Sequence, residues 1–252
     1  MDTARISVLL EPFLEQPLSQ LQLDQISTYI DLLLRWNARV NLTAIRNEEE
    51  IVTRHFGESL FMARHLFPSA SSDASNLENC HPERSNVMRL AHDVLANEVA
   101  ESKDPCPSPS TPRVIDIGSG AGFPAVPLKL WAPHIHLTMI ESNHKKAAFL
   151  REVTRALTLT NINVSTERAE TVAESLVENP GSQADIVTLR AVEHFAAILP
   201  TAVKFLARNG SLALLIGATQ LPQLATLNTL KCCLPIQIPQ SNARVLSICV
   251  LR

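Results

Sequence analysis

Apolar and polar positions recur at helical spacing through residues 3–15 and 22–38, with Leu23, Ile26, Ile30, Leu33 and Leu34 marking one face. Trp36-Asn37 closes the second helix, and Asn41-Leu42-Thr43 follows in a loop. Asn47 then precedes three glutamates. This predicts an N-cap with acids in the first turn, where the helix dipole favours them. Ile51, His55, Phe56, Leu60 and Met62 or Ala63 would face inward from that helix. Residues 1–68 thus read as a small helical lobe. From residue 113 the pattern changes to short β-branched runs alternating with helical stretches, which predicts a mostly parallel sheet. Strands are expected at 113–117, 135–141, 162–167, 184–189, 211–217 and 245–251, with a weaker one near 232–238. Helices fit 124–132, 144–158, 169–178, 195–208 and about 220–229. No long helix separates the last two strands, so they are expected to form an antiparallel hairpin at the sheet edge.

Composition sets 69–112 apart. The stretch opens with Ser-Ala-Ser-Ser and ends in a Pro/Ser-rich run, with one amphipathic helix suggested by Val87, Leu90, Ala91, Val94, Leu95 and Val99. It reads as an insertion between the lobe and the domain at 113–252. Charge sharpens the division: the net −3 splits into −3 for 1–68, −4 for 69–112 and +4 for 113–252. A mild positive excess beside the sheet permits an anionic substrate, but a strongly basic nucleic-acid footprint is absent. The five cysteines, at 80, 106, 232, 233 and 249, have no metal-ligand spacing. Adjacent Cys232 and Cys233 read as small apolar residues. No apolar run approaches membrane-spanning length, so a cytoplasmic protein without metal is expected.

The chemistry gathers at Arg113-Val-Ile-Asp-Ile-Gly-Ser-Gly-Ala-Gly-Phe123. Three of only seven glycines, Gly118, Gly120 and Gly122, follow a strand and precede Pro124 at a helix start. Glycine permits positive φ and close approach of a ligand to the backbone, and a ligand crevice belongs at the carboxyl end of such a strand. The dinucleotide fingerprint would need a glycine where Phe123 stands, and no Gly-Lys-Ser/Thr loop is present. The spacing Asp-x-Gly-x-Gly-x-Gly instead fits S-adenosylmethionine-dependent methyltransferases. Glu141, ending the second strand, is placed to accept from ribose hydroxyls, or else caps the helix that follows. Lys145 and Lys146 open that helix as a solvated face or as phosphate contacts. At the end of the fourth strand, where amine methyltransferases carry Asn/Asp-Pro-Pro and pyrimidine C5 enzymes need a cysteine, this chain has Arg190. A guanine N7 needs neither, because its lone pair is already available.

Several separated motifs together resemble the bacterial RsmG (GidB) methyltransferases. They are Leu34-Arg-Trp-Asn37 with Asn41-Leu-Thr43, Arg54-His55 with Glu58-Ser-Leu60, the glycine loop, Lys145-Lys146 before Phe149-Leu150, Arg168-Ala-Glu170 and Leu189-Arg-Ala191. The resemblance covers roughly 20–66 and 113–252. It implies a Rossmann-like class I methyltransferase fold and transfer of methyl from S-adenosylmethionine to guanine N7 in the 530 loop of 16S ribosomal RNA, naked or in the small subunit. It further implies cofactor contacts at Gly118, Phe123, Ala169, Glu170 and Arg190. Asn41, Arg54 and His55 would lie near the RNA or cap the cleft, and Arg190 is the candidate catalytic residue. The chain has Ile216 where the family commonly has lysine. A methyltransferase of protein or small molecules, and a non-catalytic S-adenosylmethionine-binding protein, are the alternative readings.

Overall fold

The computed structural model describes residues 1–68, 111–178, 182–191, 195–224 and 227–251. The stretch read as an insertion, with its helix at 87–99, lies outside the described residues apart from 111–112. Residues 1–67 and 111–252 pack as one compact unit.

Five of the strands are β1 Arg113–Ile117, β2 His136–Ile140, β3 Ile162–Ser165, β4 Ala184–Arg190 and β5 Leu206–Gly217. Three more follow: β6 Leu230–Cys232, β7 Ile236–Gln237 and β8 Arg244–Leu251. They form a single sheet in the order β3-β2-β1-β4-β5-β8-β6, with β7 paired on β8. β1 to β5 run parallel, and β8 returns antiparallel to β5. Val114 to Ile117 of β1 and Ile186 to Arg190 of β4 are all buried, as befits central strands of a sheet covered on both faces. Several details differ from the pattern-based reading. The helix expected over 195–208 stops at Lys204, because β5 already begins at Leu206, and the helix expected over about 220–229 is α-helical only over Leu221–Leu224 among the described residues. β8 is not an edge, since β6 and β7 pair along its other side. The weak strand at 232–238 is split, because Pro235 between the pieces lacks the N–H a ladder needs.

The lobe consists of α1 Thr3–Leu10, α2 Gln20–Val40 and a helical run that begins at α3 Glu48–Glu50. This run passes through a π-helical turn, Ile51–Gly57, into α4 Glu58–Leu66. Ser19 and Gln22 form a capping box at the start of α2, and Asn47 accepts from Glu50 N as its position predicts. α2 runs past Trp36-Asn37 to Val40 and ends on Asn41, which takes φ 48° in the left-handed region. Asn37 is instead a clamp: its amide donates to Thr43 O at 2.9 Å and accepts from Thr43 N at 3.0 Å. That fixes the 41–43 loop against the helix.

On the sheet side, α5 Ala125–Trp131 follows the glycine loop and α6 His144–Ala156 follows β2. α7 Ala169–Glu178 follows β3, and α8 Phe195–Lys204 follows β4. Both tryptophans straddle the seam between lobe and sheet. Trp36 Nε1 of α2 donates to Glu152 Oε2 of α6 at 3.1 Å, and Trp131 Nε1 of α5 donates to Phe67 O at 2.8 Å. The seam is packed with aromatic rings. Tyr29 of α2 stacks on Phe123 at 5.2 Å, Phe56 meets both edge-on, and Tyr29 hydroxyl donates to Ala121 O in the glycine loop. Such ring pairs contribute about 0.5–1.5 kcal/mol each beyond area burial.

Candidate functional site

β1 is the strand from which the chain winds outward in both directions, so the crevice at the carboxyl ends of β1 and β4 is the topological switch point. Gly118, Gly120 and Gly122 occupy it with φ of 70°, 56° and 86°. The loop is held back by Gly118 N and Ser119 N, both donating to Ile140 O of β2. The glycines have different duties. A Cβ on Gly122 would overlap the Tyr29 hydroxyl and press on Val126 Cγ2 at 3.0 Å, so this glycine makes room for the lobe. A Cβ on Gly120 would meet only Gly118 O at 3.8 Å, so this glycine faces open space where a ligand can lie against the backbone.

Glu141 stands at the rim of the same loop. Its Oε2 accepts from Gly120 N at 2.8 Å and its Oε1 from Asn143 N at 2.8 Å, so the side chain ties loop to α6 and keeps lone pairs for a hydroxyl donor. Below it Asp116 is buried. Thr188 hydroxyl of β4 donates to Asp116 Oδ1 at 2.6 Å, across the rung that pairs the two residues, while Oδ2 has no protein partner. Burial pushes the Asp116 carboxyl up to about 6, against the opposing hydrogen bonds of Ser119 and Thr188.

Arg190 differs most from its expected setting. The guanidinium does not emerge at the sheet rim; it is buried under the lobe. Its Nη2 donates to Arg54 O at 2.6 Å and to Glu58 Oε2 at 3.1 Å, its Nε has no partner, and its Cζ lies 5.9 Å from the Phe123 centroid. This partner, Glu58, is 132 residues away in sequence and 2% exposed. Arg244 Nη2 reaches the same Glu58 oxygen at 3.1 Å, completing a triad in which Glu58 and Arg190 are buried and Arg244 is partly exposed. Burial lowers the Arg190 pKa to about 10, with Glu58 opposing that fall, so Arg190 stays cationic.

Arg244 also bears on the missing lysine. Ile216 is core, but the next rung pairs Gly217 with Arg244, so a guanidinium from β8 comes to that end of β5.

His55, on the π-helical turn, stacks on the other face of Phe123 at 4.7 Å. Its Nε2 and Thr43 Oγ1 share a hydrogen bond of 2.7 Å, and Nδ1 has no partner. Burial, then the charges of Arg190, Arg54 and Arg244, drive its pKa down to about 3, so the ring is neutral. Arg54 is exposed and pairs with Glu50 at 2.7 Å. Asn41 is exposed, as is Lys145, while Lys146 is half-buried; Asn143 caps both lysine N–H groups. Ala169 is buried at the start of α7, beside exposed Glu170. Sequence reasoning brought the glycine loop, Phe123, Glu141, Arg190 and His55 to one crevice. It missed Tyr29 and Arg244. Tyr29 left a signal: the chain's one tyrosine lies on the apolar face of α2 with Ile26, Ile30 and Leu33.

No cysteine lies at this crevice among the described residues. Cys232 and Cys249 face each other across β6 and β8 and are joined as a disulfide, which corrects the reading of Cys232 as merely a small apolar residue. Cys233 beside it is free. No group of side chains fit to hold a metal occurs among the described residues, and no helix there is long and apolar enough to cross a membrane.

The family model described as rRNA small subunit methyltransferase G (GidB) matches residues 22–73 and 88–243. The chain belongs to this family. The GidB match resumes inside the stretch read as an insertion, leaving only 74–87 unmatched between its two parts. Similar proteins named ribosomal RNA small subunit methyltransferase G include one from Xylella fastidiosa strain 9a5c, 31% identical over 97% of this chain and 96% of its own. One from Chloroflexus aggregans is 33% identical over 92% and 83%. One from Bacillus subtilis strain 168 is 29% identical over 80% and 67%. Among solved structures, a Methanococcus jannaschii fibrillarin pre-rRNA processing protein overlaps 63% of this chain and 74% of its own, at 17% identity and a TM-score of 0.48, a likeness too distant to carry weight.

Proposed function

We propose that this chain transfers the methyl group of S-adenosylmethionine to N7 of a guanine in the 530 loop of 16S ribosomal RNA, acting in the cytoplasm on the RNA or on the small subunit. Membership of the GidB family carries the substrate class. The observation that carries the cofactor is the open face above Gly120, set among left-handed glycines at the switch point.

The residues present fit that cofactor. Gly118, Gly120 and Gly122 let it approach the backbone, Glu141 retains acceptor capacity for ribose hydroxyls, and the unfilled Asp116 Oδ2 is a buried acceptor at the base of the loop. Ala169 and Glu170, following β3, would border the adenine. The bound cofactor supplies an electrophilic methyl on a sulfonium, which leaves as a neutral thioether. The protein need not remove a proton before attack, and its ionisable groups here are already committed: Asp116 to Thr188, Arg190 and Arg244 to Glu58, and His55 held neutral. Its task is alignment, which can supply several orders of magnitude of rate through effective molarity. Arg190 fixes the lobe over the crevice through Arg54 O and Glu58 and keeps one buried donor, Nε, without a partner there. Asn41, Arg54, Lys145 and Lys146 line the approach as RNA contacts.

The test is transfer of labelled methyl to 16S RNA, small subunits and protein extract, followed by nucleoside analysis. Label in 7-methylguanosine supports the reading. Label confined to protein, or cofactor binding without any transfer, overturns it.

A further inference from the structure

Beyond the crevice, one exposed face of α6 carries two arginines toward its carboxyl-terminal end. His144, Ala148, Arg151 and Arg155 are spaced i, i+4, i+7 and i+11, so they lie on one face, and all four are exposed. Eleven residues of helix span roughly 16 Å. This face starts three residues after Glu141, at the crevice, and ends at a separate open cleft of about 550 Å³ beside the end strand β3. Arg151, Thr154, Arg155, Thr158, Thr160 and Asn163 are among its lining residues. The one acid of α6, Glu152, is turned to the lobe, where it accepts from Trp36. Among the described residues neither arginine has an acidic partner. Arg151 is nevertheless held in place: its Nη2 donates to Val164 O of β3 at 3.0 Å, leaving four N–H donors.

We infer that this cleft seats a backbone phosphate of the RNA substrate, with this face of α6 guiding the strand from the crevice to the β3 edge; this rests on the reading of the chain as an RNA methyltransferase. The chemistry favours an anion. Two guanidinium groups one turn apart present forked donors, which match phosphate geometry. The cleft lies at the carboxyl-terminal turn of α6, whose dipole repels an anion. A single exposed cation offsets that field; two unpaired ones leave a surplus. Exposed Thr160 and Asn163 add neutral donors beside them. The cleft lies away from the cofactor loop, so it acts on affinity for the acceptor rather than on methyl transfer itself.

The experiment compares the wild-type chain with Arg151→Ala/Arg155→Ala, using a 16S RNA fragment that contains the acceptor guanine. Both side chains are exposed, so the variant should keep its melting temperature and its affinity for S-adenosylhomocysteine. The expected result is a KM for RNA raised several-fold with kcat at saturating RNA unchanged. The slope of log affinity against log salt should become shallower by roughly 0.7 per lost phosphate contact on a single strand. Arg151→Lys/Arg155→Lys should restore the salt slope and only part of the affinity. An unchanged KM and salt slope in the alanine variant, with the wild type active on RNA, overturns the RNA seat and leaves the methyltransferase reading intact. A cleft that binds inorganic phosphate with no effect on RNA affinity also overturns it, as a small-anion site. Absence of any wild-type transfer to RNA would sink the parent reading and this one together.

Discussion

At the scale of single residues, the two glycines at 120 and 122 share a left-handed backbone and differ in what surrounds them, so they should fail differently. Gly122→Ala forces a methyl against Tyr29 and Val126 and should cost about 1–3 kcal/mol in packing plus the conformational strain. Gly120→Ala pays the strain alone, about 1–2 kcal/mol, but fills the open space and should weaken binding of S-adenosylhomocysteine. Denaturant melts and calorimetry on both variants check this; equal stability losses with equal affinities would refute the division. His55 makes a second prediction. Its folded pKa of about 3 lies below the ordinary 6.5, so the unfolded chain takes up a proton that the folded one refuses as pH falls through that range. Its contribution is therefore undiminished above pH 6.5 and is lost progressively on acidification. Asp116, raised to about 6, has the opposite sign: its burial costs more as pH rises from about 4 to 6. The two slopes oppose each other in that window. The stability difference between wild type and His55→Phe, which keeps the ring stack, should rise from pH 4 to pH 6.5. A flat difference would mean that His55 is not held neutral.

At the scale of elements, the Arg190–Glu58–Arg244 triad joins α4, β4 and β8 through one buried carboxylate. Removing that carboxylate strands two guanidinium groups, so Glu58→Gln should cost roughly 3–5 kcal/mol. Once Glu58 is gone, Arg190→Ala should add little, and a double-mutant cycle would show coupling of up to about 3 kcal/mol. Additive losses would mean that the contact is incidental. This pairing also marks how far the sequence could be read. The helices and parallel strands were legible because their periodicity is local, and the glycine loop because positive φ leaves a mark in residue type. Arg190 was legible as a site residue, yet its partner was not, since nothing at Arg190 points to a residue 132 positions earlier. The splitting of 232–238 follows from Pro235, a single residue that an apolar pattern averaged over the stretch does not register. The role of Asn37 is not legible locally, because its clamp on Thr43 depends on where α2 ends, and α2 runs three residues past Asn37 to Val40.

At the scale of the whole molecule, the antiparallel end of the sheet is cross-linked. The Cys232–Cys249 bridge spans 17 residues. A loop of this size corresponds to about 3 kcal/mol of chain entropy removed from the unfolded state. Dithiothreitol should lower the melting temperature of the wild type and leave Cys232→Ser unaffected, and thiol titration of the denatured chain should find two more groups after reduction. Identical melts and thiol counts would show the pair to be reduced. The bridge joins β6 and β8, with β5 and β4 between it and the strand that leads into the glycine loop, so cofactor affinity should not follow its redox state.

The placement of Trp36 and Trp131 has an optical consequence. The chain has two tryptophans and one tyrosine, and all three reach across the seam between lobe and sheet. Ultraviolet emission from this protein is therefore a gauge of lobe docking more than of sheet formation. If the lobe unseats while the sheet persists, emission should shift to longer wavelength with the far-ultraviolet dichroism of the strands retained. A Glu58→Gln sample under mild denaturant is the place to look for those two signals to part.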